Sequence, residues 1–250
     1  MGTLESIFSK KKPIIGMIHL AGSTDSEKIL RALKEVEIYE KQGIDGAIVE
    51  NFHSNEKDVL IVLQEIAKQK SHKQLANLSV GVNILPNEFQ RSFEIANTYE
   101  LDFIQLDFIA GEYHLREKLD TKHYDFFRKQ YPQIVVLGGV WPKYYHPIKG
   151  SNLENDLNEG IQRADAIVVT GEGTGIETPI EKIIKFKEIL GDYPLIIGAG
   201  LNNQNVFRQL KIADGAIVGS FFKKFNQTDG ELEETKIERF MEQVNMLRER

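Results

Sequence analysis

Apolar residues along this chain fall into two alternating kinds of run. Short runs are apolar on consecutive positions: PIIGMIHL from Pro13, GAIVEN from Gly46, LSVGVNIL from Leu78, FIQLDFI from Phe103, IVVLGGV from Ile134, AIVVTG from Ala166, PLIIGAG from Pro194 and GAIVGS from Gly215. Between them lie longer charged segments, such as DSEKILRALKEVEIYEKQG from Asp25 and TPIEKIIKFKEILG from Thr178, whose apolar residues recur every three or four positions. The short runs predict strands covered on both faces, and the long segments predict amphipathic helices that cross over between parallel strands. Eight such units in strict alternation predict a single (β/α)8 TIM barrel spanning residues 1–250. A doubly wound open sheet is the rival, but it requires weakly buried edge strands and none of the eight runs reads as one.

The chain echoes itself. DGAIVEN from Asp45, ADAIVVTG from Ala164 and ADGAIVGS from Ala213 share an acid followed by small and β-branched residues, on predicted strands two, six and eight. Alternate strands of a barrel fill the same interior layers, which gives the echo a physical basis; the preference of Ile and Val for strands gives it a simpler one.

Composition narrows the class. Of 250 residues, 41% are hydrophobic and 27% charged, which suits one large core in a water-soluble chain. A formal net charge of -6 argues against a general nucleic-acid binder, because phosphate backbones would be repelled. The absence of cysteine excludes disulfides, thiolate metal sites and thiol nucleophiles, and fits a reducing cytoplasm. No run has the length of an integral membrane segment, and the apolar stretch after Lys12 is broken by His19.

Chemistry is expected where barrel strands end, at their C-terminal face. The runs present His19, Glu50 and Asn51, Asn83, Gln105 and Asp107, then Trp141 and Lys143, then Thr170 and Gly171. Such residues are poor strand formers or costly to bury without partners, so their clustering marks a candidate site. Glu50 and Asp107 can relay protons or jointly hold a divalent metal ion, and His19 can shuttle a proton or bind that metal. Lys143 can pair with a substrate anion or with Asp107, polarise a carbonyl, or form a Schiff base if desolvated. The other histidines, His72 and His123 in helical segments among them, show no metal-binding spacing.

The last two strands are followed by small residues: Gly198, Ala199 and Gly200 after the seventh, Gly219 and Ser220 after the eighth. Backbone N–H groups are accessible to an anion there, and barrels often build phosphate sites in these two loops. Asn202 and Asn203 read as caps of a following helix whose N-terminus would favour the same anion. The stretch VTGEGTGIETP from Val169 fits neither a dinucleotide fingerprint nor a P-loop, and reads as a loop that closes over a ligand.

Six stretches, KPIIGMIHLAG from Lys12, GIDGAIVENF from Gly43, GVNILPNE from Gly81, ADAIVVTGEGTG from Ala164, IIGAGLNNQNV from Ile196 and ADGAIVGS from Ala213, resemble the BtpA/SgcQ family over nearly the whole chain. The resemblance implies a ribulose-phosphate-binding type of TIM barrel. The family takes its name from a factor needed for photosystem I accumulation, and other members look like parts of carbohydrate-related gene clusters. This chain departs from the family pattern at Gln105 and Asp107, where Arg and Asn are usual, and at Gly138 and Gly139, where an Asp is usual.

Residues and resemblance together lead to two expectations. One is a cytoplasmic enzyme acting by acid/base chemistry on a small phosphorylated metabolite, a sugar phosphate or nucleotide-like compound. Catalysis falls to His19, Glu50, Asp107 and Lys143, substrate binding to Asn51, Asn83, Gln105, Thr170 and Gly171, and phosphate binding to Ala199, Gly200, Gly219 and Ser220. No cofactor is required beyond the divalent metal ion that the carboxylates can accommodate. The other is a non-catalytic binding or assembly factor that keeps the ligand cup. The stripe Ile237, Phe240, Met241 and Val244 near the C-terminus is expected to pack on its own barrel, although outer helices can also carry a homo-oligomer interface.

Overall fold

A computed structural model describes residues 3–71, 75 and 77–249; His72 lies outside the described residues. Eight parallel strands close into a barrel in chain order: β1 (Ile14–Ile18), β2 (Gly46–Glu50), β3 (Ser79–Asn83), β4 (Phe103–Leu106), β5 (Val135–Gly139), β6 (Ala166–Val169), β7 (Leu195–Ile197) and β8 (Gly215–Val218). Ladder closure between β1 and β8, with Ile15 opposite Ile217, removes the edges that an open sheet would leave. The (β/α)8 expectation holds, and the open-sheet alternative does not.

Crossovers run through α2 (Asp25–Lys41), α3 (Glu56–Ser71), α4 (Phe89–Thr98), α5 (Thr121–Gln130), α6 (Leu153–Gly160), α7 (Ile180–Leu190) and the short α8 (Val206–Leu210). Their starts follow capping rules: Thr24 and Glu27 make a reciprocal capping box on α2, and the side chains of Asp120 and Asn152 accept N–H bonds at the starts of α5 and α6. The last helix, α9 (Glu234–Arg248), buries Ile237, Phe240, Met241 and Val244 against its own barrel, with the Phe240 ring edge-on to Phe222 at 5.2 Å.

Outward-facing strand residues join the helices in one core, and inward-facing ones form a second. The inner core, with Met17, Ile48, Phe103, Leu137, Val168 and Ile217 among its members, is plugged from below by Leu4 and Phe8 around the one-turn α1 (Leu4–Ile7). The filled interior confines any ligand to the upper mouth.

The echo before alternate strands has a specific cause at the lower end of the barrel. Asp45, Asp102, Asp165 and Asp214 precede the even strands, and each carboxylate accepts the backbone N–H of a residue in the preceding odd strand: Ile14, Val80, Val136 and Leu195, at 2.8, 2.8, 2.8 and 2.9 Å. Each carboxylate also meets a cation, namely Arg248, Lys70, Arg128 and Lys187. Parallel strands leave such N–H groups unpaired at their starts, so an acid in this position ties neighbouring strands together. Among the described residues no helix is long and apolar enough to cross a membrane.

Candidate functional site

The strand register determines which side chains meet at the mouth. Met17 pairs with Ile48, Ile48 with Gly81, and Gly81 with Phe103, with Met17, Ile48 and Phe103 in the inner core. Strand side chains alternate faces, so the residues two positions further on also point inward. Those residues are His19, Glu50, Asn83 and Gln105, one from each of four adjacent strands, with Glu50 directly opposite Asn83. Four of the polar strand ends picked out in the sequence therefore form one continuous row.

Above the row lies a cavity of about 930 Å³, lined by all four residues together with Asp107, Lys143, Thr170, Ala199, Gly200, Gly219 and Ser220. Three members of the row are deeply buried, with His19 4%, Glu50 7% and Asn83 1% exposed, and Gln105 is half-buried. His19 Nδ1, Asn83 Oδ1 and Gln105 Oε1 are buried atoms without a hydrogen-bond partner among the described residues. Burial pushes the Glu50 carboxyl up to about 7; Lys143 and Lys223 oppose this, and Asp107 adds to it. Burial, reinforced by Lys223 and Lys143, holds the His19 imidazole well below its ordinary range and hence neutral.

Lys143 donates from Nζ to Thr174 Oγ1 at 3.0 Å, and its backbone N–H donates to Thr170 Oγ1 at 2.6 Å. It makes no ion pair with Asp107, contrary to the pairing the sequence allowed: the Asp107 carboxylate instead accepts the Tyr145 hydroxyl at 2.7 Å. Asn51 and Gly171 do not line the cavity. Asn51 faces outward and clamps the loop after β3, accepting from Leu85 N at 2.8 Å and donating to Leu85 O at 3.3 Å. Gly171 has no room for a side chain because a Cβ would stand 2.8 Å from Glu177 O. Among the described residues, no three His, Asp or Glu side chains converge in a metal-holding group.

The loop after β7 is shaped by close approach of the loop after β6. Gly200 has φ +70°, and a Cβ there would stand 2.2 Å from Ile176 O. Its missing side chain is therefore required by neighbouring backbone, whether or not an anion binds. Gly200 O accepts from Asn205 Nδ2 at 3.0 Å and Ala199 O from Thr178 Oγ1 at 3.1 Å. The backbone N–H groups of Ala199, Gly200 and Ser220 find no protein acceptor among the described residues. The N-cap position is Asn205, not Asn202 or Asn203, its side chain makes no capping bond to the helix, and α8 is only five residues long, which leaves little helix dipole to add to these amides.

Several cavity residues escaped the sequence reading. Lys236 and Arg239 reach the mouth from α9 and Arg116 from the loop after β4, while Ile176 enters from the loop after β6 that the sequence reads as closing over a ligand. Lys236 is tied to Glu233 and to Lys223 O, and the Arg116 guanidinium lies over the Tyr145 ring at 4.9 Å. No local pattern marks the α9 cations, because a helix following the eighth strand shows its destination only once folded.

Comparison with known proteins agrees with this architecture. The phosphoribosylanthranilate isomerase of Pyrococcus furiosus superposes with a TM-score of 0.61 at 19% identity, covering 94% of this chain and 99% of that one. The thiamine phosphate pyrophosphorylase of the same organism superposes with a TM-score of 0.61 at 15% identity, covering 94% and 96%. At these identities the likeness defines the class of protein by fold alone, a (β/α)8 barrel with its cavity at the C-terminal mouth. The family is given by sequence: the BtpA family model matches residues 10–246, and the chain belongs to the BtpA family. Relatives include the uncharacterized protein MJ1115 of Methanocaldococcus jannaschii, 30% identical over 96% of this chain and 97% of the relative. The photosystem I biogenesis protein BtpA of Synechocystis is 25% identical over 94% and 88%.

Proposed function

We propose that this chain is an enzyme that holds a small phosphorylated metabolite in the barrel mouth and moves a proton on it with Glu50. One observation carries the reading: a buried carboxyl whose pKa is pushed up to about 7 sits in a cavity floor, beside side chains with unpartnered polar atoms. A group titrating near neutrality can both take and return a proton, as isomerisation, epimerisation or aldol-type cleavage requires. Lys143 supplies positive charge for an oxyanion developing next to the abstracted proton. Asp107, fixed by the Tyr145 hydroxyl, keeps negative charge near Glu50 and so sustains its raised pKa.

The phosphate is assigned to the free amides of Ala199, Gly200 and Ser220, with Arg239 nearby on the cavity wall. The names of two structural neighbours, a phosphoribosylanthranilate isomerase and a thiamine phosphate pyrophosphorylase, include phosphorylated compounds, which supports this placement.

The test is a thermal-shift panel of phosphorylated sugars and nucleotides, each beside its dephosphorylated twin, with and without divalent metal. A ligand at a hundred times its Kd adds about 2.7 kcal/mol of stability. Phosphorylated members alone are expected to stabilise the protein, and Glu50→Gln is expected to retain binding while abolishing turnover of the best ligand. If no member shifts the melt, the assembly role suggested by the name of the Synechocystis relative takes precedence.

A further inference from the structure

One cation of the cavity has neither a partner nor a task. Arg116, on the loop between β4 and α5, lines the mouth, and its guanidinium makes no hydrogen bond or ion pair among the described residues. Its contact is the face of the Tyr145 ring, 4.9 Å from the centroid. Its neighbours are engaged: Lys143 donates to Thr174, Lys236 pairs with Glu233, and Lys118 on the same loop pairs with Glu112.

The surroundings hold this side chain in place. Tyr113 and Pro147 bridge the loops after β4 and β5, with His114 N donating to His146 O at 2.9 Å and Ile148 N donating to Glu112 O at 3.0 Å. Tyr145 is fixed at both ends: its ring packs on Phe108 and Tyr113 at 5.4 and 5.6 Å between centroids, and its hydroxyl donates to Asp107 at 2.7 Å. Leu115 has φ +58° and a wholly exposed side chain, so the chain takes a costly backbone conformation there without burying the leucine. What that turn achieves is the placement of the next residue, Arg116, at the cavity wall.

We propose that Arg116 is a second anion site, so that the ligand carries, remote from its phosphate, another oxyanion group, either a carboxylate or a second phosphate. The inference rests on the phosphate assignment made under Proposed function. In a closed barrel of eight strands in chain order, β4 stands across from β8. Arg116 follows β4, whereas Ser220 follows β8 and Ala199 and Gly200 follow β7, so the two anion sites face each other over the mouth. The strand midway between β8 and β4 on one side is β2, which carries Glu50; a ligand anchored at both ends is thereby held by its termini and leaves its middle to the proton carrier. An arginine stacked on an aromatic face keeps its N–H edge free, and that planar fork donates two parallel bonds to the oxygens of a carboxylate or phosphate.

Calorimetric titration of the full chain with matched sets of probes tests the site. Each set, at chain lengths of three to six carbons, holds an alditol monophosphate, the acid in which its remote terminal alcohol is a carboxylate, and the bisphosphate phosphorylated at both ends; inorganic phosphate is titrated alongside. Within a set the shared part of the molecule cancels. The acid or the bisphosphate is expected, at one chain length or more, to bind at least about tenfold more tightly than the monophosphate, the worth of one hydrogen bond to a charged group. Arg116→Met, which keeps a stem on Tyr145 and removes the fork from an exposed position, is expected to abolish that advantage while leaving the melt and the affinities for monophosphate and inorganic phosphate unchanged. Preference for the acid assigns a carboxylate to Arg116 and preference for the bisphosphate a second phosphate; both support the site. Equal binding within every set, or an advantage that survives Arg116→Met, overturns the second site and leaves the phosphate assignment standing. Absence of binding by every probe overturns both.

Discussion

The two halves of the barrel mouth are built on different principles. From β1 to β4 the inward strand ends carry His19, Glu50, Asn83 and Gln105, long polar side chains on closely packed strands. From β5 to β8 the corresponding inward positions are Gly139, Thr170, Gly198 and Gly219, where the backbone itself forms the surface. A Cβ at Gly139 would stand 1.9 Å from Asp107 O, one at Gly198 would stand 2.6 Å from Val168, and one at Gly219 would stand 3.0 Å from His19. The contrast teaches that side-chain recognition and backbone recognition place opposite demands on substitution. The first half tolerates a change of side chain in fold but not in chemistry; the second tolerates almost none in fold.

The largest effect is expected where this contrast is sharpest. Gly139→Ala forces a methyl into Asp107 backbone and should destabilise the protein by about 4 kcal/mol or more, read as a loss of native melt. A melting temperature close to the parent's would show that β4 and β5 can separate, and would weaken the division. The same steric argument applies at its neighbour, since neither Gly138 nor Gly139 has space for a carboxylate: a Cβ at Gly138 would stand 2.5 Å from the Ile109 side chain.

Next comes Glu50, in the tolerant half. Its folded pKa of about 7 lies above its unfolded value of 4.5, so the native state holds the proton more tightly and stability falls as pH rises from about 4.5 to about 7. Above pH 7 the buried charge costs roughly 3 kcal/mol, at about 1.4 kcal/mol per pH unit. Glu50→Gln should therefore melt higher than the parent at pH 8 and nearly together with it at pH 5. His19 acts at the other end of the scale: its folded pKa is depressed, so its contribution is present above the ordinary imidazole range and lost as pH falls below it. Identical pH profiles for parent and Glu50→Gln would remove the basis for its role as the proton carrier.

A smaller effect is expected from Asn205→Ala, which leaves Gly200 O with the longer bond from Asn202 Nδ2 at 3.4 Å and loosens the backbone half without touching the row. About 1 kcal/mol of stability should be lost, together with a weakened response to phosphorylated ligands. Arg239→Ala is expected to be smallest, a few-fold loss of phosphate affinity without change in the melt, because its side chain is exposed and makes no ion pair among the described residues. An equal loss from Gln105→Leu would show that the two halves do not divide the ligand as assigned.

The sequence by itself determined the barrel and the row. Eight consecutive apolar runs admit parallel strands covered on both faces, and a polar residue that ends such a run on its inward face can only stand at the mouth. His19, Glu50, Asn83 and Gln105 were legible for that reason, and the acids before even strands showed as an echo whose purpose appeared only in the ladder. Tertiary structure decided what depends on two distant segments meeting. Asn51 shares a strand end with Glu50, yet the pleat turns it outward to Leu85; Gly200 looks like an anion loop, yet Ile176 is what its missing side chain admits. Arg239 and Lys236 join the site from a helix beyond the last strand. Local pattern records burial and face, because both follow from the period of one element, whereas a contact between elements depends on register and loop path, which no single segment encodes.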